Sequence, residues 1–167
     1  MAINRSAPKE VPTWSRLTEW SLVAGVIVVL VLVSGRQMRV MQAQSELATV
    51  KSTLGALRTA FVIDYLHKNV AAAGSNVVVT QRNPFELLQR QPANYVGEMR
   101  RSSAEAATAG TWIFDTNCSC VGYTPIYDQG FDNPSGDAML WFRVTAASGP
   151  LQLSAKETYV WQGQALN

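Results

Sequence analysis

The sequence predicts an α+β protein in which one long N-terminal helix starts in a membrane and then packs on a small antiparallel β-sheet. Three observations predict it. Residues Trp20 to Gly35 form an uncharged apolar run between Glu19 and Arg36, no proline interrupts the chain from Arg36 to about Asn69, and short apolar segments separated by turn residues fill the C-terminal half. With 167 residues, the chain has room for one compact domain plus an anchor.

The apolar run comes first. About 16 residues rise roughly 24 Å as a helix, a little short of the ~30 Å hydrocarbon core of a bilayer. Extending the helix back through Leu17 and Thr18, with arginines at either end reaching outward, closes the gap. Trp14 and Trp20 stand where interfacial aromatics are expected. A transmembrane helix over 17–35 is the expectation. A cleaved signal peptide ending near Val33-Ser-Gly35 and a buried core helix are the alternatives. Basic residues are nearly balanced across the span, so size and chemistry set the orientation. The 1–16 tail, with Pro8 and Pro12, is expected in the cytoplasm, and the folded remainder outside it, where Cys118 and Cys120 meet an oxidising compartment.

Beyond the span, Val40, Leu47, Val50, Leu54, Leu57 and Phe61 mostly recur at steps of three and four, which is one helical face. Gln42, Gln44, Glu46, Lys51 and Arg58 fall largely off it. The pattern continues the span, so one helix of about 50 residues is expected, its part outside the membrane covering 36–69. The stretch from Leu47 to Leu66 is apolar enough to lie under a sheet, with Leu47, Val50, Leu54, Leu57 and Phe61 facing Trp112, Phe114, Leu140 and Phe142. A coiled-coil stalk is the alternative, although the stripe covers only about three heptads.

Residues 70–167 read as a small β-rich domain. Asn76 to Thr80 is a strand candidate. Asn83-Pro-Phe-Glu86 reads as a helix start, with Asn as N-cap, and Arg100 to Ala109 reads as a loop. Strand signals follow at Thr111–Phe114, Cys120–Tyr123, Met139–Val144 and Thr158–Trp161, separated by turn residues. Short connections between successive strands predict antiparallel pairing.

A charged leader, Thr18-Glu19 opening an apolar run, an unbroken helix leaving the membrane and a C-terminal sheet together resemble the type IV pilin-like proteins, which include minor pilins and the pseudopilins of type II secretion. Glu46 to Tyr65, Asn83-Pro-Phe-Glu-Leu-Leu with Pro92-Ala-Asn-Tyr-Val-Gly97, and Gly110-Thr-Trp-Ile-Phe-Asp115 carry the resemblance in detail, and it extends over residues 15 to about 161. The resemblance implies a structural subunit in the bacterial inner membrane, its C-terminal domain periplasmic. It also gives Glu19 a role, since the family's glutamate at this place meets the free N-terminal amine of a neighbouring subunit; an ordinary interfacial carboxylate is the other reading. The chain departs from the family at one point. Prepilin peptidase cuts after a glycine, and Trp14 occupies that position, with no glycine before Gly25. No processing is therefore expected, and Met1 or Ala2 should remain at the N-terminus.

Asp128, Asp132 and Asp137 lie within ten positions. Some pseudopilins bind Ca²⁺ in such a loop, but the residues also suit turns beside Gly and Pro, which is the reading adopted. Cys118-Ser-Cys120 lacks the four ligands of structural zinc, and a disulfide or two thiols both fit. His67, the only histidine, has no partner suggesting chemistry. No nucleophile elbow, phosphate loop or metal-binding histidine pair occurs, so no catalytic residue, metal or cofactor is expected. A net charge of +2 with no basic stripe points away from nucleic acid. The expected partners are the bilayer and other membrane subunits, met through 17 to about 45. Within that stretch Ala24 and Gly25 allow close helix approach, and Met38 and Met41 offer adaptable contacts. Two further readings are a non-enzymatic single-span accessory subunit of another membrane complex and a membrane-tethered ligand-binding domain.

Overall fold

A computed structural model describes residues 13–71, 83–100, 108–146 and 149–166. The chain divides into two compact units, Met1–Arg39 and Val40–Asn167. The expected tail lies mostly outside the described residues, as do the strand candidate Asn76–Thr80 and most of the loop Arg100–Ala109.

The described part of the first unit is helix alone. Helix α1, Thr13–Ala71, runs for 59 residues without a break and continues into the second unit. Its valine-rich beginning would be a poor helix in water, because β-branched side chains lose rotamer freedom there. In an apolar medium the balance reverses, since only a helix satisfies its own backbone groups. Even the hydroxyls comply: Thr18 Oγ1 donates to Trp14 O and Ser21 Oγ to Thr18 O. Among the described residues one stretch, starting at Thr18, is long and apolar enough to cross a membrane, and none of its most apolar window is buried.

The second unit packs the rest of α1 on two sheets. Strands β1 (Tyr95–Met99), β2 (Trp112–Asp115), β3 (Cys120–Tyr123), β5 (Leu140–Thr145) and β6 (Gln152–Ala155) form a five-stranded sheet in the order β1-β2-β3-β5-β6. Strands β4 (Phe131–Asp132), β7 (Tyr159–Trp161) and β8 (Gln164–Leu166) form a second sheet in the order β4-β7-β8. Leu47, Val50, Leu54, Leu57 and Phe61 share one core with Phe85, Trp112, Phe114, Val121, Leu140, Phe142, Tyr159 and Trp161.

Four expectations are corrected. The main sheet is mixed, because β1 pairs with β2 in parallel. A parallel partner needs a long crossover, and residues 100–111 supply about a dozen positions for it. The helix expected at Asn83 is a 3-10 turn, Pro84–Leu87, which stops where Leu88 turns extended. Its start is as expected, with Asn83 Oδ1 accepting from Phe85 N at 3.1 Å. The covered stripe of α1 ends at Phe61, short of Leu66, since Val62, Ile63 and Leu66 are about half exposed. Finally, Glu46 does not lie off that stripe. It is buried with it.

Candidate functional site

Two features of α1 stand out, one in each unit. In the first unit no described residue lies over the apolar surface. Trp20, Leu22, Val26, Ile27, Leu30 and Leu32 are all exposed, at 51–73% of their surface. So is Met38. Ala24 and Gly25 lie in the same stretch, and a Cβ added at Gly25 would meet no described atom within 4 Å beyond its own chain neighbours and helix backbone. Exposed apolar surface on this scale is of the kind that lipid or another protein can cover. Glu19 is exposed at the start of the run, where its carboxylate can be solvated or paired.

The second feature is the seat of the helix in its own domain. Ala43, Leu47, Val50, Leu54, Leu57 and Phe61 are buried at steps of four and three. Beside them Glu46, only 8% exposed, accepts three hydrogen bonds. Tyr123 Oη donates at 2.7 Å, Ile126 N at 2.7 Å and Tyr127 N at 2.9 Å. A carboxylate can be buried when its lone pairs are filled this way. The three donors belong to the end of β3 and the loop after it, so Glu46 ties the helix to that loop. Burial, with the adjoining Glu46 carboxylate, pushes the Tyr123 phenol far above its ordinary ionisation range. Spacing could have revealed the residue, because Glu46, Val50 and Leu54 follow one another at steps of four. Val40 and Met41, just before this seat, remain partly or largely exposed.

The same loop continues along a groove of about 410 Å³ whose walls include Asp128, Asp132 and Asp137. The three carboxylates do not converge. Asp137 spends Oδ1 on Met139 N and Oδ2 on the Trp141 indole, while Asn133 caps Ser135 N. These are turn contacts, and among the described residues no three His, Cys, Asp or Glu side chains gather to hold a metal. Cys118 and Cys120 are joined as a disulfide beyond the end of β2. His67 is exposed on α1.

A second polar cluster ties the 3-10 turn to β1. Asn83 Nδ2 donates to Tyr95 Oη at 2.7 Å and to Glu98 Oε1 at 3.0 Å. Burial raises the Tyr95 phenol, against the lowering effect of the Asn83 bond, and Glu98 and Glu86 add to the rise. Both clusters hold elements together.

No protein-family model, curated protein or solved structure matches the chain.

Proposed function

We propose that this protein is a pilin-like structural subunit of a type IV pilus or type II secretion assembly, held in the bacterial inner membrane with its C-terminal domain periplasmic. It works through helix contacts rather than catalysis. One observation carries the reading: a single helix is apolar and uncovered in its first unit and seated on a sheet in its second. Such a helix fits lateral packing in a membrane, where dispersion contacts and small residues hold helices together. Glu19 at the head of the run supplies a carboxylate for a neighbouring subunit's amine, and Ala24 and Gly25 supply the close approach.

A second reading is favoured by Trp14 in place of the cleavage glycine. An unprocessed N-terminus suits a fixed accessory subunit of a larger membrane complex, using the same anchor. In either reading the main contacts run through the anchor segment.

The test is association in the membrane. Gly25→Leu adds bulk where a Cβ meets open space among the described residues, so it should leave the protein's own fold intact. It should abolish co-purification with neighbouring pilin-like or other membrane subunits, and the fragment 40–167 should behave likewise. Undiminished co-purification of that fragment would move the interface to the globular domain. Intact mass separates the two readings: a full-length chain favours the accessory subunit, and loss of the first 14 residues favours a processed pilin.

A further inference from the structure

The face of the five-stranded sheet that does not meet α1 carries a second, smaller core of Ile113, Cys120, Met139 and Trp141, flanked by half-buried Met99 and Cys118. Packing there is close, since a Cβ at Gly122 would come within 2.7 Å of the Trp141 ring. The ladder registers set Met99 beside Asp115, Asp115 opposite Cys120, and Cys120 opposite Arg143. Residues directly opposite on one face have Cβ atoms about 4.5–5.5 Å apart.

Asp115 is the anomaly in this row. It is 1% exposed, and its Oδ1 accepts from Asn117 N at 2.8 Å. Its Oδ2 is buried without a hydrogen-bond donor among the described residues. A buried carboxylate oxygen is costly to leave unsatisfied. The group directly across the ladder is Cys120, whose sulfur carries no hydrogen while it is bonded to Cys118. A Cys120 thiol would carry one, with Cys118 O at 3.3 Å from its sulfur and Asp115 opposite it on the ladder as acceptors.

The disulfide has little structural work to do. A cross-link constrains the unfolded chain more as the loop it closes lengthens, and this one joins residues only two apart. The hairpin is already held by four β2–β3 register pairs. Between the cysteines Ser119 sits at φ 53, a left-handed conformation that non-glycine residues adopt at a cost. Access is also unequal, because Cys118 is partly exposed and Cys120 is 1% exposed.

We propose that Cys118–Cys120 is a thiol–disulfide exchange site whose reduced form is stabilised by Asp115. The thiolate of an external thiol attacks the reachable Cys118 sulfur. A new sulfur–sulfur bond forms there, the Cys118–Cys120 bond breaks, and Cys120 departs with the electron pair as a thiolate facing Arg143. It takes a proton from water and donates its S–H to Asp115 Oδ2. A second external thiol resolves the mixed disulfide at Cys118. Two external thiols thereby become one disulfide, and the two protein sulfurs gain two electrons and two protons. Asp115 and Arg143 act through Cys120 as positioning residues.

The experiment equilibrates the full-length chain in detergent with defined ratios of reduced and oxidised dithiothreitol, then counts thiols by alkylation and mass. With only two cysteines in the chain the readout is unambiguous. Both thiols should appear without denaturant and with unchanged circular dichroism. Asp115→Asn keeps the acceptor for Asn117 N but removes the one for Cys120, so it should shift the exchange equilibrium about tenfold toward the disulfide, roughly 30 mV. Arg143→Gln should slow reduction several-fold. Thiols that appear only on unfolding, or a midpoint unmoved by Asp115→Asn, would overturn the proposal. Should that variant not fold, Cys118→Ser leaves Cys120 as a lone thiol, and its infrared S–H stretch should be lowered by the carboxylate. A stretch at the free-thiol frequency would refute the assignment.

Discussion

The two stretches of α1, residues 20–39 and 43–61, share one helix and differ in where their apolar surface goes. The first is apolar on every side from Trp20 to Gly35, and none of it is covered by the described residues. The second is apolar along one stripe, and that stripe is buried to within a few per cent. The second stretch is the less hydrophobic of the two, yet it is the one with a core. Periodicity, not total hydrophobicity, decides whether a helix finds a seat in its own domain, because a sheet covers one face only. A helix apolar all round has no single face for a sheet to cover, and its surface suits lipid or other helices.

The comparison is broken most directly by emptying the covered stripe. Leu54→Ala or Leu57→Ala in the fragment 40–167 should cost about 2–5 kcal/mol in denaturant unfolding, since both residues are fully buried in the main core. A loss below about 1 kcal/mol would mean that the seat tolerates a void and the stripe is not what holds it.

Next comes the carboxylate beside the stripe. Glu46→Ala strands two backbone N–H groups and a buried phenol, and each hydrogen bond to a charged group is worth about 1.5–3 kcal/mol. Because water can reach part of the vacated space, a total of about 2–4 kcal/mol is expected. The loop after β3 should also gain faster amide exchange at Ile126 and Tyr127.

A smaller effect is expected at alkaline pH. The Tyr123 phenol is raised on folding by burial and by Glu46. Its neutral form is the stabilised one, so its contribution is complete below the unfolded value near pH 10 and declines as pH rises beyond it. Unfolding free energy measured between pH 8 and 11.5 should fall at the upper end, and Tyr123→Phe should flatten that fall. Tyr95, raised chiefly by its own burial, accounts for part of the remaining slope.

The smallest effect sharpens the contrast. Gly25→Leu should leave the melting of the folded domain unchanged within about 0.5 kcal/mol, because beyond its own chain neighbours and helix backbone no described atom lies within 4 Å of the added Cβ. A substitution that is silent in the domain yet abolishes association would separate the outward-facing stretch from the inward-facing one.

Much of this was readable in residue order. The run from Trp20 to Gly35 marks the uncovered helix, and the steps from Leu47 to Phe61 mark the covered one. The segments at Trp112, Cys120, Leu140 and Tyr159 became strands within one residue of their expected limits. Other strands left fainter traces. Leu151-Gln-Leu153-Ser alternates in the manner of β6, but over too short a span to stand out. Gln162 and Gly163 both take positive φ, and this two-residue turn pairs β7 with β8. For β1, Gly97 and a shift of register obscure the alternation.

By itself, then, the sequence determined the long helix, which part of it could be covered and which could not, and most of the hairpin-linked strands. All of these follow from patterns within a dozen or so neighbouring residues. Only the tertiary structure decided the parallel pairing of β1 with β2 and the burial of Glu46 under donors from residues 123–127. Each depends on a partner brought near by chain crossing or strand register. No local spacing encodes such a partner, because the free energy that selects it comes from satisfying polar groups and filling volume across the whole domain.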